Sequence, residues 1–329
     1  MTAVGRDTAP PAPLAAALES LRLDGAIFFR SEFTERWSYA SPDAELAGLL
    51  RPGAERLLMF HIVAEGRCWV ATDDGERHWA RKGDVIVLPY GDQHNVGGTE
   101  DTEPVPIVTL LAPPPWDEMP VLRYGEGGDR TDIVCGYLHS EDPLFDPANR
   151  AFPRAFVVRP EGAAAQFVAS AIDWALATTS GYEPATPVST RLPELLLIEV
   201  LRLHLESAPS ADHGWVAAFR DPVLAPALAA LHAEPDRRWT VADLAGAAAV
   251  SRSVLDDRFR QVLGRSPIRY LTDWRMHLAR ELLASSEHGV AAIARKVGYE
   301  SEEAFSRAFK RNSGTSPSAW RAERDPAVP

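Results

Sequence analysis

From Trp239 to Arg324 the apolar residues recur at helical spacing in short runs, and the set of runs is written twice. With Phe259 placed over Phe309, Ser251 falls on Ser301, Leu255 on Phe305, Arg260 on Lys310, Gly264 on Gly314 and Ser266-Pro267 on Ser316-Pro317. In each copy a first stripe predicts a short helix: Val241, Leu244, Ala245 and Ala248, then Ile293, Ala294 and Val297. A second stripe predicts another: Leu255, Phe259 and Val262, then Phe305 and Phe309. Thr240 stands three residues before Asp243, the spacing of a capping box, and Ser251 and Ser301 are good N-caps because a short side-chain oxygen can accept from the free amides of a first turn. Gly264 suits a helix end and Gly298 a turn. Each unit reads as helix, tight turn, helix, over about 240–264 and 290–314. Their outward faces carry Arg252, Ser253, Asp256 and Asp257 in one, and Glu302, Glu303, Ser306, Arg307 and Lys310 in the other.

Before this repeat the period changes. AIFFRSEFTERW, RLLMFHIVAEGRCWVATD and GERHWARKGDVIVLPYGDQHNV alternate in polarity, are rich in Val, Ile, Phe and Trp, and break at Gly and Asp. They predict the short strands of a sandwich or small barrel. VPIVTLL predicts a further strand, and the stretch from Arg130 a last barrel strand that holds Cys135, with His139 after it. The helical period returns from Gln166 to Ala177 and from Thr190 to Glu206, where LPELLLIEVLRLHL is apolar on more than one face and needs burial beyond the barrel. Residues 1–13 are small and Pro-rich and are expected to be disordered, with a short helix over 14–22 after them. SAPSADHG at 207–214 reads as a linker, and Asp221-Pro222 opens a helix with Val223, Leu224, Ala227, Leu228 and Leu231 turned inward. The expected organisation is a β-barrel domain over 14–153, a helical segment over 154–206 and an all-α domain over 215–324.

At 329 residues and 46% apolar composition the chain has material for two compact cores. No run approaches the roughly 18–20 apolar residues that cross a bilayer, and the N-terminus has no basic stretch followed by an apolar one, so a cytoplasmic protein without membrane contact is expected. Two cysteines, Cys68 and Cys135, with no Cys-x-x-Cys imply neither a disulfide framework nor a zinc finger and suit a reducing compartment. Charge divides unevenly. Residues 215–329 hold 17 Lys and Arg against 14 Asp and Glu, whereas residues 1–214 hold 17 against 32, within an overall net charge of −12. The basic excess lies where a polyanion would bind.

WTVADLA, SRSVLDDRFRQVLGRSPIRYLTDWRM, VAAIARKVGYESEEAFSRAFKR and GTSPSAWR together resemble the DNA-binding domain of the AraC/XylS family of bacterial transcription regulators. In that domain the second helix of each unit enters the major groove, and the long helix opened by Ser266-Pro267 holds the units at a fixed separation. The resemblance implies a DNA-contacting set of Arg252, Ser253, Asp256, Asp257, Arg260, Glu303, Arg307, Lys310 and Arg311. Arg307 matches a base-contacting arginine, and Arg260, Lys310 and Arg311 are the phosphate candidates. The acidic pair is unusual: a carboxylate repels phosphate, and among base edges it suits the cytosine amino group. The alternative is local pairing, with Asp256 at i±4 from Arg252 and Arg260. That account is favoured for Asp257, and Asp256 is left between the two.

Gly83 to His94, GDVIVLPYGDQH, resembles the second signature of the cupin superfamily, with FHIVAEGRCWV at 60–70 in the place of the first, as in the ligand-sensing domains that precede many AraC-type DNA-binding domains. Metal-binding cupins bring two histidines and a glutamate from the first signature and another histidine from the second. Here His61, Glu65 and His94 are the candidates, but Val63 stands in place of the second histidine, so no metal cofactor is required. His61, Cys68 and His94 are then candidates for an effector pocket, with Cys68 read as a buried core residue ahead of a thiol sensor. The fold class expected is a cupin-like β-barrel followed by dimerisation helices and a tandem helix-turn-helix domain. The function expected is a homodimeric, sequence-specific regulator of transcription that senses a small molecule or a redox signal, binds double-stranded promoter DNA, and contacts RNA polymerase if it activates. The competing class is a metal-dependent cupin dioxygenase or isomerase fused to a DNA-binding module, although no catalytic constellation stands in the sequence.

Overall fold

In the computed structural model, residues 23–41, 57–111, 120–140, 145, 152–177, 187–207 and 214–322 are described. The tail over 1–13, the helix expected over 14–22 and nearly all of the linker expected over 207–214 lie outside them. Among the described residues eleven strands form two sheets. One runs in the order β11 (Phe156–Val158), β6 (Val85–Leu88), β3 (Leu58–Glu65), β10 (Arg130–His139), β1 (Asp24–Thr34) and β9 (Val121–Tyr124). The other runs β5 (His78–Arg81), β4 (Arg67–Ala71), β7 (His94–Gly97), β2 (Ser38–Ser41) and β8 (Val105–Pro106).

The two sheets enclose Phe33, Trp37, Tyr39, Val63, Cys68, Val70, Ile86, Leu88, Val96, Ile133 and Cys135. The first sheet is buried on its other face as well. Phe60, Ile62, Val85, Val87, Val134 and Leu138 point away from the barrel interior and pack under α1 (Gly162–Ala177) and α2 (Pro187–Ser207). Burial on both faces explains why β3 is buried without a break from Leu58 to Ala64 and is apolar there except at His61. Glu194, buried on α2, accepts from the Leu23 amide at 3.4 Å and pairs with Arg191, which fixes the helix against the start of the barrel.

Three details differ from the sequence reading. VPIVTLL is a strand only at Val105–Pro106 and then turns into a short 3-10 helix, Ile107–Thr109, whose Thr109 hydroxyl donates to the Pro106 carbonyl at 2.7 Å. RTDIVCGYLH lies in the middle of its sheet and is not the last strand: Phe156–Val158 follows it and pairs antiparallel with β6. The stretch expected to be helical from 154 therefore begins as barrel, and its first helix starts at Gly162.

The C-terminal part is helical: α3 (Trp215–Arg220), α4 (Leu224–Ala233), α5 (Val241–Ala247), α6 (Arg252–Leu263), α7 (Pro267–Ser285), α8 (Val290–Lys296), α9 (Glu302–Ser313) and α10 (Pro317–Ala322). Local chemistry sets their ends. Thr240 and Asp243 form a reciprocal capping box, and the Ser251 and Ser301 side chains accept from the Val254 and Ala304 amides. Asp221 accepts from the Val223 and Leu224 amides at 2.8 and 3.0 Å, so the helix it opens begins at Leu224. Gly264 closes α6 in the left-handed conformation at φ 67°.

Two cores divide these helices. Leu231, Leu244, Leu255, Phe259, Tyr270 and Trp274 join the core that underlies α1 and α2, while Met276, Leu283, Ile293, Phe305, Phe309 and Trp320 form a separate one. α7 contributes to both, and Leu278 packs against each.

Candidate nucleic-acid interface and barrel interior

The second helices of the two units present what the stripes left outward. On α6, Arg252, Ser253, Asp257 and Arg260 are exposed and Asp256 is half-buried; on α9, Glu302, Glu303, Arg307, Lys310 and Arg311 are exposed. Leu255 and Phe259 anchor the first helix from beneath, and Phe305 and Phe309 the second, each fully buried. A rigid helix whose exposed face carries guanidinium and ammonium groups can donate to base edges and phosphates together.

The acidic pair resolves differently from the expectation. Arg260 Nε donates to Asp256 Oδ2 at 2.8 Å, so the local pair falls on Asp256 and not on Asp257. Both carboxylates are within helical reach of Arg260, Asp257 three residues before it and Asp256 four, and the guanidinium takes the partner at i,i+4 while Asp257 adds only its charge. The pairing raises the Arg260 guanidinium above its usual value, through the hydrogen bond first and the charge of Asp256 second.

Within the barrel, the period-two alternation turns His61 on β3 and His94 on β7 inward, and both are buried. Their Nε2 atoms stand 3.4 Å apart. His94 Nδ1 lies 2.8 Å from the Asp92 carbonyl, which can only accept, so that nitrogen carries the proton and His94 Nε2 is an acceptor. His61 Nε2 therefore donates, and its Nδ1 accepts from the Cys135 thiol at 3.0 Å. Cys135 reaches it because β10 pairs with β3 in a register that sets Cys135 opposite His61. The result is a directed chain from Cys135 through His61 and His94 to the Asp92 carbonyl, in which every ring nitrogen is used. Burial, then the neighbouring His94, lowers His61 to about 3, and burial lowers His94 to about 4 against the opposing effect of its hydrogen bond to the Asp92 carbonyl. Burial pushes both thiols up, Cys68 to about 12.

Among the described residues no three His, Cys, Asp or Glu are grouped as ligands, and the lone pairs of His61 Nδ1 and His94 Nε2 already accept hydrogen bonds from Cys135 and His61. Glu65, expected as a third ligand, is an exposed residue at the end of β3 whose carboxylate pairs with Lys82 at 2.6 Å. It falls on the outer rim because it stands four residues beyond His61 where the strand leaves the barrel. Cys68 lies in the interior as a fully buried core residue. Sequence reasoning missed two members of the interior: Cys135 as the partner of His61, and Tyr39, fully buried with its hydroxyl unpartnered and raised well above its usual value by burial. The local signal for Tyr39 was only a tyrosine in a short strand.

The chain matches a cupin family model over residues 12–206 and a helix-turn-helix domain model over residues 244–323. It is 37% identical over 286 residues to a protein of Streptomyces lividans named as an AraC-like transcription regulator, covering 85% of this chain and 91% of that one. A protein of Streptomyces antibioticus with the same description is 38% identical over 82% of this chain and 88% of its own length. The HTH-type transcriptional regulator AlkR of Acinetobacter baylyi is 28% identical over 82% of this chain and 89% of its own.

Proposed function

This chain belongs to the AraC-type family of DNA-binding transcription regulators, with a cupin domain ahead of its helix-turn-helix domain, and from that premise we propose that the barrel senses a small molecule and sets how the two units engage a promoter. The observation that carries this reading is the core shared by the outer face of the barrel, α1, α2 and the first unit, because a change in barrel packing then reaches α6 through side chains in contact. Arg220 on α3 adds a polar tie by donating to the Leu205 carbonyl near the end of α2. The effector enters the barrel interior beside Tyr39, whose free hydroxyl supplies a hydrogen bond, and needs no metal. The protein acts in the cytoplasm as a homodimer through α2, and contacts RNA polymerase where it activates.

Arg307 is the principal base reader, Arg252, Ser253 and Glu303 complete the base-facing surface, and Arg260, Lys310 and Arg311 hold phosphates. Selection from random-sequence DNA with the full-length protein tests this. Arg307→Ala should cost about 1–3 kcal/mol and relax one position of the selected site, and Lys310→Ala should lower the salt slope by about one without changing base preference. Equal loss on every sequence would move Arg307 to the phosphate group. For the barrel, a compound found by thermal shift should raise the melting temperature through mass action and also change affinity for the selected DNA. A compound that stabilises the protein and leaves DNA affinity untouched argues against sensing.

A further inference from the structure

α7 packs into both helix-turn-helix cores, and a further tie placed to one side of it holds the tilt of the second unit against the first more firmly than the shared helix alone. Such a tie centres on Arg275, half-buried on α7 between Trp274 of the first core and Met276 of the second. Arg275 Nε donates to the Pro235 carbonyl at 2.7 Å and Nη2 to the Arg237 carbonyl at 2.8 Å, which docks the loop that enters α5 onto the linking helix. That loop is itself stiffened, because Trp239 Nε1 donates to the Glu234 carbonyl at 2.9 Å and the Arg237 guanidinium lies 4.0 Å over the Trp239 ring.

The same arginine faces the turn of the second unit. Its guanidinium carbon stands 5.9 Å from the Tyr299 ring centroid. Gly298, at φ 80°, fits so tightly that a Cβ there would lie 2.6 Å from Arg275 Nη2 and 2.6 Å from the Asp236 carbonyl oxygen. Beside it, Arg238 of the first unit pairs with Glu300 of the second. Three elements thus meet at one point: the loop into α5, the body of α7 and the turn before α9.

We propose that Arg275, with Gly298 and the Arg238–Glu300 pair, is a clasp that fixes the tilt of the second unit against the first and so sets the spacing of the two DNA blocks read by α6 and α9. Arg275 is a positioning residue and touches no base. The inference rests on the reading that both units engage DNA. Two recognition helices joined rigidly enter successive major grooves about 34–36 Å apart, and the second binds at a high effective concentration only while that geometry holds.

The test uses full-length protein and a site selected from random DNA by the unaltered chain, with its two blocks then moved apart or together by one and two base pairs. The unaltered protein should discriminate steeply among the spacings. Arg275→Ala should lose about tenfold in affinity for the selected site, keep the base preference within each block, and bind the respaced sites almost as well as the original. Arg275→Lys, with one point donor for two carbonyls, should fall between. Glu300→Ala opens only the exposed arm and should flatten the same dependence to a smaller degree, which keeps the test decisive if Arg275→Ala melts below the assay temperature. Spacing dependence as steep in these variants as in the unaltered protein overturns the clasp alone. A selected site with only one block overturns the clasp together with the two-unit reading.

Discussion

His61 and His94 share a single hydrogen bond between two neutral rings, Nε2 to Nε2 at 3.4 Å, and a second proton has no place in it. His61 titrates at about 3 and His94 at about 4 in the folded chain, against about 6.5 for an unfolded histidine. Between those values the unfolded chain binds more protons, so stability is full above pH 6.5 and falls as the pH drops below it. Each such histidine contributes a slope of about 1.4 kcal/mol per pH unit once well below 6.5. Denaturant midpoints measured from pH 7.5 to 5 should decline, and His61→Gln should flatten the decline. Some slope will persist, because His204 and His232 are lowered to about 4 and about 3, chiefly by burial. A midpoint independent of pH would show that the pair is not buried as a neutral unit.

Asp256 holds Arg260 in a local pair on the first recognition helix, while Asp257 stays exposed. Asp256→Asn should release the guanidinium toward phosphate, tighten binding on all sequences and steepen the salt dependence by less than one contact, at a helix cost of a few tenths of a kcal/mol. Asp257→Asn should tighten binding by removing repulsion alone. If either change weakens only sites with a particular cytosine, the first helix reads bases through that carboxylate.

Leu195 is 56% exposed on α2, a helix whose neighbouring Leu196, Leu197, Val200 and Leu201 are fully buried. Leu195→Arg should convert a dimer to a monomer in sedimentation without lowering the melting temperature of the monomer, since an exposed side chain adds little to its core. An unaltered chain that sediments as a monomer at micromolar concentration would remove α2 as the interface.

Ala249 and Gly298 occupy matching places in the two turns, at φ 54° and φ 80°. The left-handed backbone costs alanine about 1–2 kcal/mol, so Ala249→Gly should raise stability by roughly that amount less the added freedom of the unfolded chain. Gly298→Ala should do the reverse and more, because the new Cβ also meets the Asp236 backbone. Thermal melts of the two variants moving in the same direction would contradict this account.

The C-terminal units were legible because their signals are local. A cap and its amide stand three residues apart at Thr240, Ser251 and Ser301, and Gly264 ends a helix by its own conformation. The barrel was legible as strands but not as a register. Cys135 meets His61 across 74 residues, and nothing near either one announces the pairing. The strand Phe156–Val158 is three residues long between prolines at 153 and 160, too short to alternate visibly. Arg275 stood in view within the WRM motif, but its role depends on two carbonyls about 40 residues away.

The two cores place the seam of cooperativity where the chain does not. The outer face of the first sheet, α1, α2 and the first unit share one buried network apart from the barrel interior, and the second unit has its own, so a division lies within α7 rather than between the cupin and helix-turn-helix domains. Amide exchange should follow it, with the amides of α8 and α9 opening together while those of α6 keep pace with the barrel. The first unit is then carried with the face of the barrel that it packs under, and the second trails on a helix like a second foot that steps after the first.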